Sequence, residues 1–423
     1  MGKLASMPAE ELKSLRTELE GRYDSFKAAN LNLDMTRGKP SSEQLDLAAG
    51  LLSLPGEGSF RDAGGLDCRN YGNLDGIPSA KALFAAYTGL PAERLILGGN
   101  SSLTLMHDTV VRALLHGVPG GKGPWRDQDT AFLCPVPGYD RHFAICEHHG
   151  IRMIPVPYND DGPDMDEVEK LVATDDTIKG IWIVPRYSNP TGITCSDAVV
   201  DRLAAMATAA ADFRIFWDDA YAVHHLGDGP APLKNLAIAC DQAGNPDRAL
   251  IFGSTSKISF AGSGIGFMGA SPANIADSKA HLGKQTIGPD KLNALRHVAF
   301  FRDYDGLLAH MDRHAAILRP KFDAVLDIFA KELDGLGIAT WSKPTGGYFI
   351  NLDTSDGLAS ETVRLCGEAG VRLTSAGATY PYGKDPRDCN IRIAPSLPPL
   401  DEIRTAMEVV TVCLKRAAVA KLL

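Results

Sequence analysis

Apolar residues return along this chain in two rhythms. Leu12, Leu15, Leu19, Tyr23 and Phe26 recur at three- and four-residue steps among charged neighbours, which predicts an amphipathic helix over about 8–29. Beyond it, short apolar runs alternate with helical stretches. The runs are Leu95-Ile96-Leu97, Ala131-Phe132-Leu133-Cys134, Ile181-Trp182-Ile183-Val184, Ile215-Phe216-Trp217, Ala249-Leu250-Ile251-Phe252 and Ile265-Gly266-Phe267-Met268. Alternation of this kind predicts an α/β fold with a mostly parallel sheet wrapped by helices. An Ala-rich stretch near 204–211 reads as one more helix. From about Leu307 the pattern changes to long helices, then to Gly346-Gly347-Tyr348-Phe349-Ile350-Asn351-Leu352 and a last strand, Cys389-Asn390-Ile391-Arg392-Ile393.

A length of 423 residues exceeds what one compact core holds. The expected division is a large domain over 51–306 and a smaller α+β domain over 307–423. The N-terminal helix and arm, 1–50, join the smaller domain.

In open α/β sheets the ligand site lies outside the carboxyl ends of the strands. Here the apolar runs are followed by Gly98-Gly99-Asn100-Ser101-Ser102, Pro137-Gly138-Tyr139, Ser188-Asn189-Pro190-Thr191-Gly192, Asp218-Asp219-Ala220-Tyr221 and Ser254-Thr255-Ser256-Lys257. Five strand ends thus converge on one place.

The residue types at that place suggest a chemistry. A lysine amine becomes a useful nucleophile when it is held against a carbonyl such as an aldehyde cofactor. Lys257 follows an apolar strand through Ser254 and Ser256, two hydroxyls able to bind phosphate. Alone, Ser-x-Ser-Lys describes a surface lysine in a turn more often than an active amine. Its neighbours shift the balance. Asp218 ends a strand and can hold a cofactor's pyridine nitrogen protonated, while Asp219 faces away by strand alternation. Tyr221 and Asn189 can donate to a phenolate oxygen, and Tyr139 offers a ring on which a pyridine can stack. Gly99, Asn100, Ser101 and Ser102 open a helical pattern whose N-terminus suits a phosphate. Taken singly, each of these also has a plain structural reading as a cap, a turn or core packing.

Composition narrows the partners. Hydrophobic residues make up 44% and charged residues 22%, as in ordinary globular proteins. A net charge of -9 argues against nucleic acid and anionic membrane surfaces. The eight cysteines are scattered without C-x-x-C spacing, which suits a reducing compartment and no metal. No stretch approaches the roughly 18 apolar residues of a membrane span, so a cytoplasmic enzyme is expected. Gly117–Gly123 lacks the Ser/Thr of a Walker loop, Cys146-Glu147-His148-His149 lacks zinc-ligand spacing, and Asn159–Asp166 lacks the distal Glu of an EF-hand.

In order along the chain, Tyr71…Gly76, Gly99-Asn100-Ser101, Pro137-Gly138-Tyr139, Asn189-Pro190-Thr191-Gly192, Asp218-x-Ala220-Tyr221, Ser254-x-Ser256-Lys257 and Arg392 resemble the class I aminotransferases of the type I pyridoxal-phosphate fold, over about residues 31 to 410. Leu33–Pro40, Tyr187–Gly192 and Thr286–Asn293 resemble the aspartate aminotransferases of subgroup Ic. The resemblance implies pyridoxal phosphate carried by Lys257 as a Schiff base and transamination between an amino acid, foremost aspartate, and a 2-oxoacid, foremost 2-oxoglutarate. It also implies a homodimer in which Tyr71 reaches the neighbouring subunit's phosphate. Arg392, aided by the backbone at Gly38, would bind the substrate α-carboxylate.

One departure stands out. The family pattern places an arginine eight residues after the lysine, within Gly-x-Arg-x-Gly, as the phosphate's cation. Here Gly262-Ser263-Gly264-Ile265-Gly266 is one residue shorter and holds no arginine, leaving Arg186, Lys284 and Lys291 as candidates. For a substrate side-chain carboxylate the candidates are Arg37, Arg141 and Lys284. Two other readings stay open: a β-eliminating lyase or decarboxylase on the same fold, and a ligand-sensing domain. The second is disfavoured because only one helix precedes the matching region.

Overall fold

Residues 2–423 are described in the computed structural model. The apolar runs become strands because each is short and rich in β-branched and aromatic side chains that pack on a pleated surface. Their order across the main sheet is Leu95–Leu97, Gly266–Ala270, Ala249–Ser254, Arg214–Asp218, Ile178–Ile183, Ala131–Val136 and Arg152–Asn159, with the two-residue strand Gly162–Pro163 beyond. The five strands from Ala249–Ser254 to Arg152–Asn159 run parallel to one another, while Gly266–Ala270 is antiparallel to both of its neighbours. The expected mostly parallel sheet is therefore present, with seven strands extended by one short edge strand.

Strand alternation divides the core. Ile215, Trp217 and Ile251 face one cluster, while Phe216, Leu250 and Phe252 face another. Side chains of the Arg214–Asp218 strand thus alternate between two packed layers, and this parity sends Asp218 and Asp219 to opposite faces.

A third cluster surrounds a smaller antiparallel sheet of Ala339–Trp341, Ile350–Thr354 and Asn390–Ile393. Both chain ends contribute to it: Leu12, Leu19 and Tyr23 of the helix Ala9–Ala28 lie in this cluster with Val409, Val410 and Leu414 of the helix Leu400–Leu422. The 30-residue helix Tyr304–Leu333 joins the cores, placing Leu307 and Met311 in the first cluster and Leu318, Phe322 and Val325 in the third.

Two sequence expectations are corrected. The Ala-rich helix near 204–211 does not form; the helix here is Asp197–Ala205. Its last carbonyls, those of Leu203, Ala204 and Met206, are taken by the Arg248 guanidinium at 3.2, 2.9 and 2.8 Å, which ends the helix despite good alanine propensity. Conversely, Arg152–Asn159 is a strand that its apolar pattern did not announce. It contains Pro155 and Pro157, tolerated because one side of the strand pairs only at Tyr158 and Asn159.

Candidate active site

Five strand ends meet at two connected cavities. The inner one, 100 Å³, is lined by Ser101, Ser102, Tyr139, Asn189, Asp218, Tyr221, Ser254, Ser256 and Lys257, among others. The outer one, 490 Å³, shares Tyr139, Asn189, Tyr221 and Lys257 and adds Arg37, Gly38, Lys39, Asp140, Arg141, Phe349 and Arg392. Residues from both sheets therefore close the same space.

Lys257 lies just past the strand Ala249–Ser254, with its Nζ 4.9 Å from the centre of the Tyr221 ring. Burial lowers the pKa of its amine, and the charge of Asp218 works against that shift. The peptide at Lys257 is clamped from three sides. Its carbonyl accepts from Tyr348 Oη and lies 3.3 Å from His224 Nε2, and the next carbonyl, that of Ile258, lies 2.8 Å from His310 Nε2. Gln44 links Tyr348 to His314, at 3.0 Å each.

Asp218 is 2% exposed. Its Oδ2 lies 3.1 Å from His142 Nε2, whose ring stacks on Trp182 at 4.5 Å, so this carboxylate is fixed from behind. No donor reaches its Oδ1 among the described residues, although that atom is buried. A buried carboxylate oxygen without a donor is costly, and a protonated ring nitrogen in the inner cavity would satisfy it. His142 carried no recognisable signal in the sequence, since it is an interior residue of the helix Asp140–His148.

The far end of the inner cavity is a cradle of hydroxyls. Ser254 Oγ donates to Ser256 Oγ at 3.1 Å, and Ser256 Oγ donates to the Asn100 carbonyl at 2.6 Å. Ser101 caps the helix Ser102–His116, accepting from the Leu103 amide at 3.1 Å. Asn100 turns its amide to the Ala261 carbonyl, 3.2 Å away. Gly99 has φ +63°, the left-handed geometry that lets the turn enter the helix.

At the outer end Arg392 is nearly buried over the Phe349 ring, 4.9 Å from its centre. Its Nη1 donates to Asp140 Oδ1 at 2.9 Å and to Asn189 Oδ1 at 3.3 Å, while its buried Nε has no partner among the described residues. Asn189 thereby spends its oxygen on Arg392 and keeps its amide hydrogens for a ligand. Gly38 sits against the same ring, and a Cβ there would lie 2.5 Å from it. Burial raises the hydroxyl pKa of both Tyr139 and Tyr221, so both stay protonated near neutrality.

Other candidates fall outside these cavities. Asp219 pairs with Arg186 at 3.1 Å on the opposite face, where both line a separate 370 Å³ cavity with Tyr87 and Trp217. Lys291 donates to the Tyr71 carbonyl at 3.0 Å. Lys284 is exposed and lines neither active-site cavity. Tyr71 is 81% exposed and also lines neither. Among the described residues no cluster of metal-ligating side chains forms, and no helix is long and apolar enough to cross a membrane.

The fold, with a lysine at the carboxyl end of a mostly parallel sheet and a buried aspartate ending the neighbouring strand, defines an aminotransferase of the type I class. A Corynebacterium glutamicum aspartate transaminase of known crystal structure superposes with a TM-score of 0.97 at 46% identity, covering 100% of each chain. An α-aminoadipate aminotransferase from Thermus thermophilus, solved with N-(5'-phosphopyridoxyl)-L-leucine, shares the fold at a TM-score of 0.74 and 20% identity, covering 96% of this chain and 98% of its own.

The family model for aspartate amino-transferase matches residues 7–423, and the chain belongs to that family. A Mycolicibacterium smegmatis protein classed with the aminotransferases is 53% identical over 413 residues, 96% of each chain. The aspartate aminotransferase of Corynebacterium glutamicum is 47% identical over 416 residues, 98% of this chain and 96% of its own.

Proposed function

We propose that this aminotransferase uses pyridoxal phosphate bound through Lys257 to move an amino group between aspartate and 2-oxoglutarate. The observation that carries the reading is the pairing of the Lys257 amine with a buried Asp218 oxygen that lacks a donor, both facing one cavity. When bound, the cofactor supplies an aldehyde for the amine and a pyridinium ring that withdraws electrons from the substrate Cα. The chain's own residues do the rest.

Lys257, its amine pKa lowered by burial, serves as the base that removes the Cα proton and later returns one. Asp218 holds the ring nitrogen protonated, and His142 keeps that carboxylate in place. Tyr221 and the Asn189 amide donate to the ring oxygen, with Tyr139 against the ring face. Gly99, Asn100, Ser101, Ser102, Ser254 and Ser256 receive the phosphate at the N-terminus of a 15-residue helix. Arg392 offers a free Nε to the α-carboxylate, beside the Gly38 backbone. Arg37, Lys39 and Arg141 then give the outer cavity a cationic wall for a second carboxylate, which supports a dicarboxylic substrate.

The same reading includes a homodimer. Tyr71, Ile287 and Leu292 are 81, 61 and 39% exposed, and Lys291 ties the loop of Tyr71 to the helix that carries Leu292. A second copy covering this apolar region would receive Tyr71 at its phosphate. The domain division proposed is 51–306 against 1–50 with 307–423. The eight buried, unpaired cysteines suit the cytoplasm.

The test is an absorbance titration of the purified protein, adding amino acids singly. Conversion of the bound cofactor to its amine form by aspartate, and reversal by 2-oxoglutarate, is the expected result. Release of ammonia without an oxoacid acceptor would assign a lyase instead. Faster conversion by aromatic or branched amino acids would overturn the aspartate preference, and full turnover by Lys257→Ala would overturn the mechanism.

A further inference from the structure

The phosphate end of the inner cavity presents hydroxyls and a helix N-terminus, but among the described residues Lys257 is the one cation lining that cavity, and its amine is reserved for the aldehyde. A phosphate carries close to two negative charges near neutrality, so a cradle of neutral donors leaves much of that charge uncompensated. The cations suggested by the sequence are engaged elsewhere: Arg186 with Asp219 on the other face, Lys291 with the Tyr71 carbonyl, and Lys284 outside the cavity.

An arginine does reach the shortened glycine run, but it comes from another element. Arg296, on the helix Lys291–Phe301, contacts Ser263 Oγ through Nη2, and its Nε donates to Asn293 Oδ1 at 2.8 Å. Asn293 in turn donates to the Gly264 carbonyl at 2.8 Å. Arg296 is half-buried, and no carboxylate pairs with it among the described residues. A partly desolvated cation without a counter-ion is unfavourable unless a ligand brings the anion.

The turn that Arg296 grips is built into the cradle. The Ala261 carbonyl accepts from Asn100, the Gly266 amide donates to the Gly99 carbonyl at 3.0 Å, and the Thr255 amide donates to the Ile265 carbonyl at 2.9 Å. A Cβ on Gly264 would lie 3.1 Å from the Ser256 amide nitrogen, and one on Gly266 would lie 2.9 Å from the Ser101 carbonyl. The run 261–266 that the guanidinium contacts is thus bonded to both segments, 99–100 and 255, that flank the cradle hydroxyls.

Resting on the pyridoxal-phosphate reading, we propose that Arg296 is the positioning residue that replaces the missing arginine, supplying positive charge to the cofactor's phosphate through the turn 261–264. It acts on the phosphate and not on the ring.

The experiment compares binding of pyridoxal phosphate and of unphosphorylated pyridoxal, by absorbance titration of enzyme freed of cofactor, in wild type, Arg296→Lys and Arg296→Gln. The expected result is that Arg296→Gln weakens pyridoxal phosphate binding about tenfold and pyridoxal binding less than about twofold, with Arg296→Lys in between. Raising the salt concentration should narrow the gap between wild type and Arg296→Gln. Equal loss for both ligands would show a merely structural arginine and overturn the proposal, as would no loss for either. Should Arg296→Gln not fold, Arg296→Lys alone decides, by whether its loss is confined to the phosphorylated ligand. Wild-type protein that binds neither ligand would instead sink the cofactor reading itself.

Discussion

His142 and Asp218 form a buried pair at 3.1 Å, with the imidazole held flat against Trp182 at an interplanar angle of 11°. The imidazole N–H donated from Nε2 fixes one carboxylate oxygen and leaves the other free on the cavity side. Asp218 thus arrives with its orientation already set.

That geometry separates two variants. Asp218→Asn removes the charge that, on the proposed reading, keeps the ring nitrogen protonated, and should lower kcat by about 100-fold or more. His142→Ala keeps the charge but frees the carboxylate to rotate, and should lower kcat about tenfold with little change in KM for aspartate. Steady-state kinetics check both, and His142→Ala as damaging as Asp218→Asn would mean that the imidazole does more than orient.

Arg37 and Arg141 are exposed at the rim of the outer cavity, and no carboxylate pairs with either among the described residues. Arg392 differs, being nearly buried and already held by Asp140. On the proposed reading, the α-carboxylate goes to Arg392 and the side-chain carboxylate to the rim. Arg141→Ala or Arg37→Ala should reduce kcat/KM for aspartate about tenfold, the scale of one charge-assisted contact, and leave alanine nearly unchanged. A parallel loss for alanine in both variants would remove the rim from substrate selection.

The strand-end residues were legible because the sequence shows them in an order that the sheet then folds together. Lys257, Asp218, Tyr221, Asn189 and Tyr139 all follow apolar runs, and all five line the inner cavity. Even the parity argument that turned Asp219 away holds, since it meets Arg186 on the opposite face. What escaped were partners supplied by helices. His142, Arg296 and His310 are interior helix positions whose relevance depends on which helix packs behind which strand, and that information is tertiary. The strand Arg152–Asn159 escaped for a local reason, its two prolines, and the helix near 204–211 was overruled by one buried arginine.

The histidines behind Lys257 make a final prediction about stability. His297 accepts from Ser259 Oγ at 2.8 Å, while His310 and His314 lie 3.0 Å apart and converge on the Ile258 carbonyl. Burial, reinforced by the nearby cations Arg296 and Arg313, pushes their pKa values down to about 4, 4 and 3. In the unfolded chain each would titrate near 6.5, so between pH 6.5 and 4 the unfolded state binds more protons than the folded one. Stability must then fall as pH drops through that window. Down to pH 5 the loss is about 1–2 kcal/mol per histidine, an upper range because the three sites are close. Carboxylates such as Asp75, whose pKa is lowered by Lys81 and Lys279, lose their contribution at lower pH, while Asp219 and Asp353, raised by burial, oppose the histidines as pH falls. Urea unfolding at pH 7, 6 and 5 measures the slope. His314→Gln cannot take up the proton, so its stability should fall less steeply over the same interval, even if it starts lower at pH 7. A variant slope equal to that of wild type would mean that His314 is protonated in the folded protein and contributes nothing to the acid response.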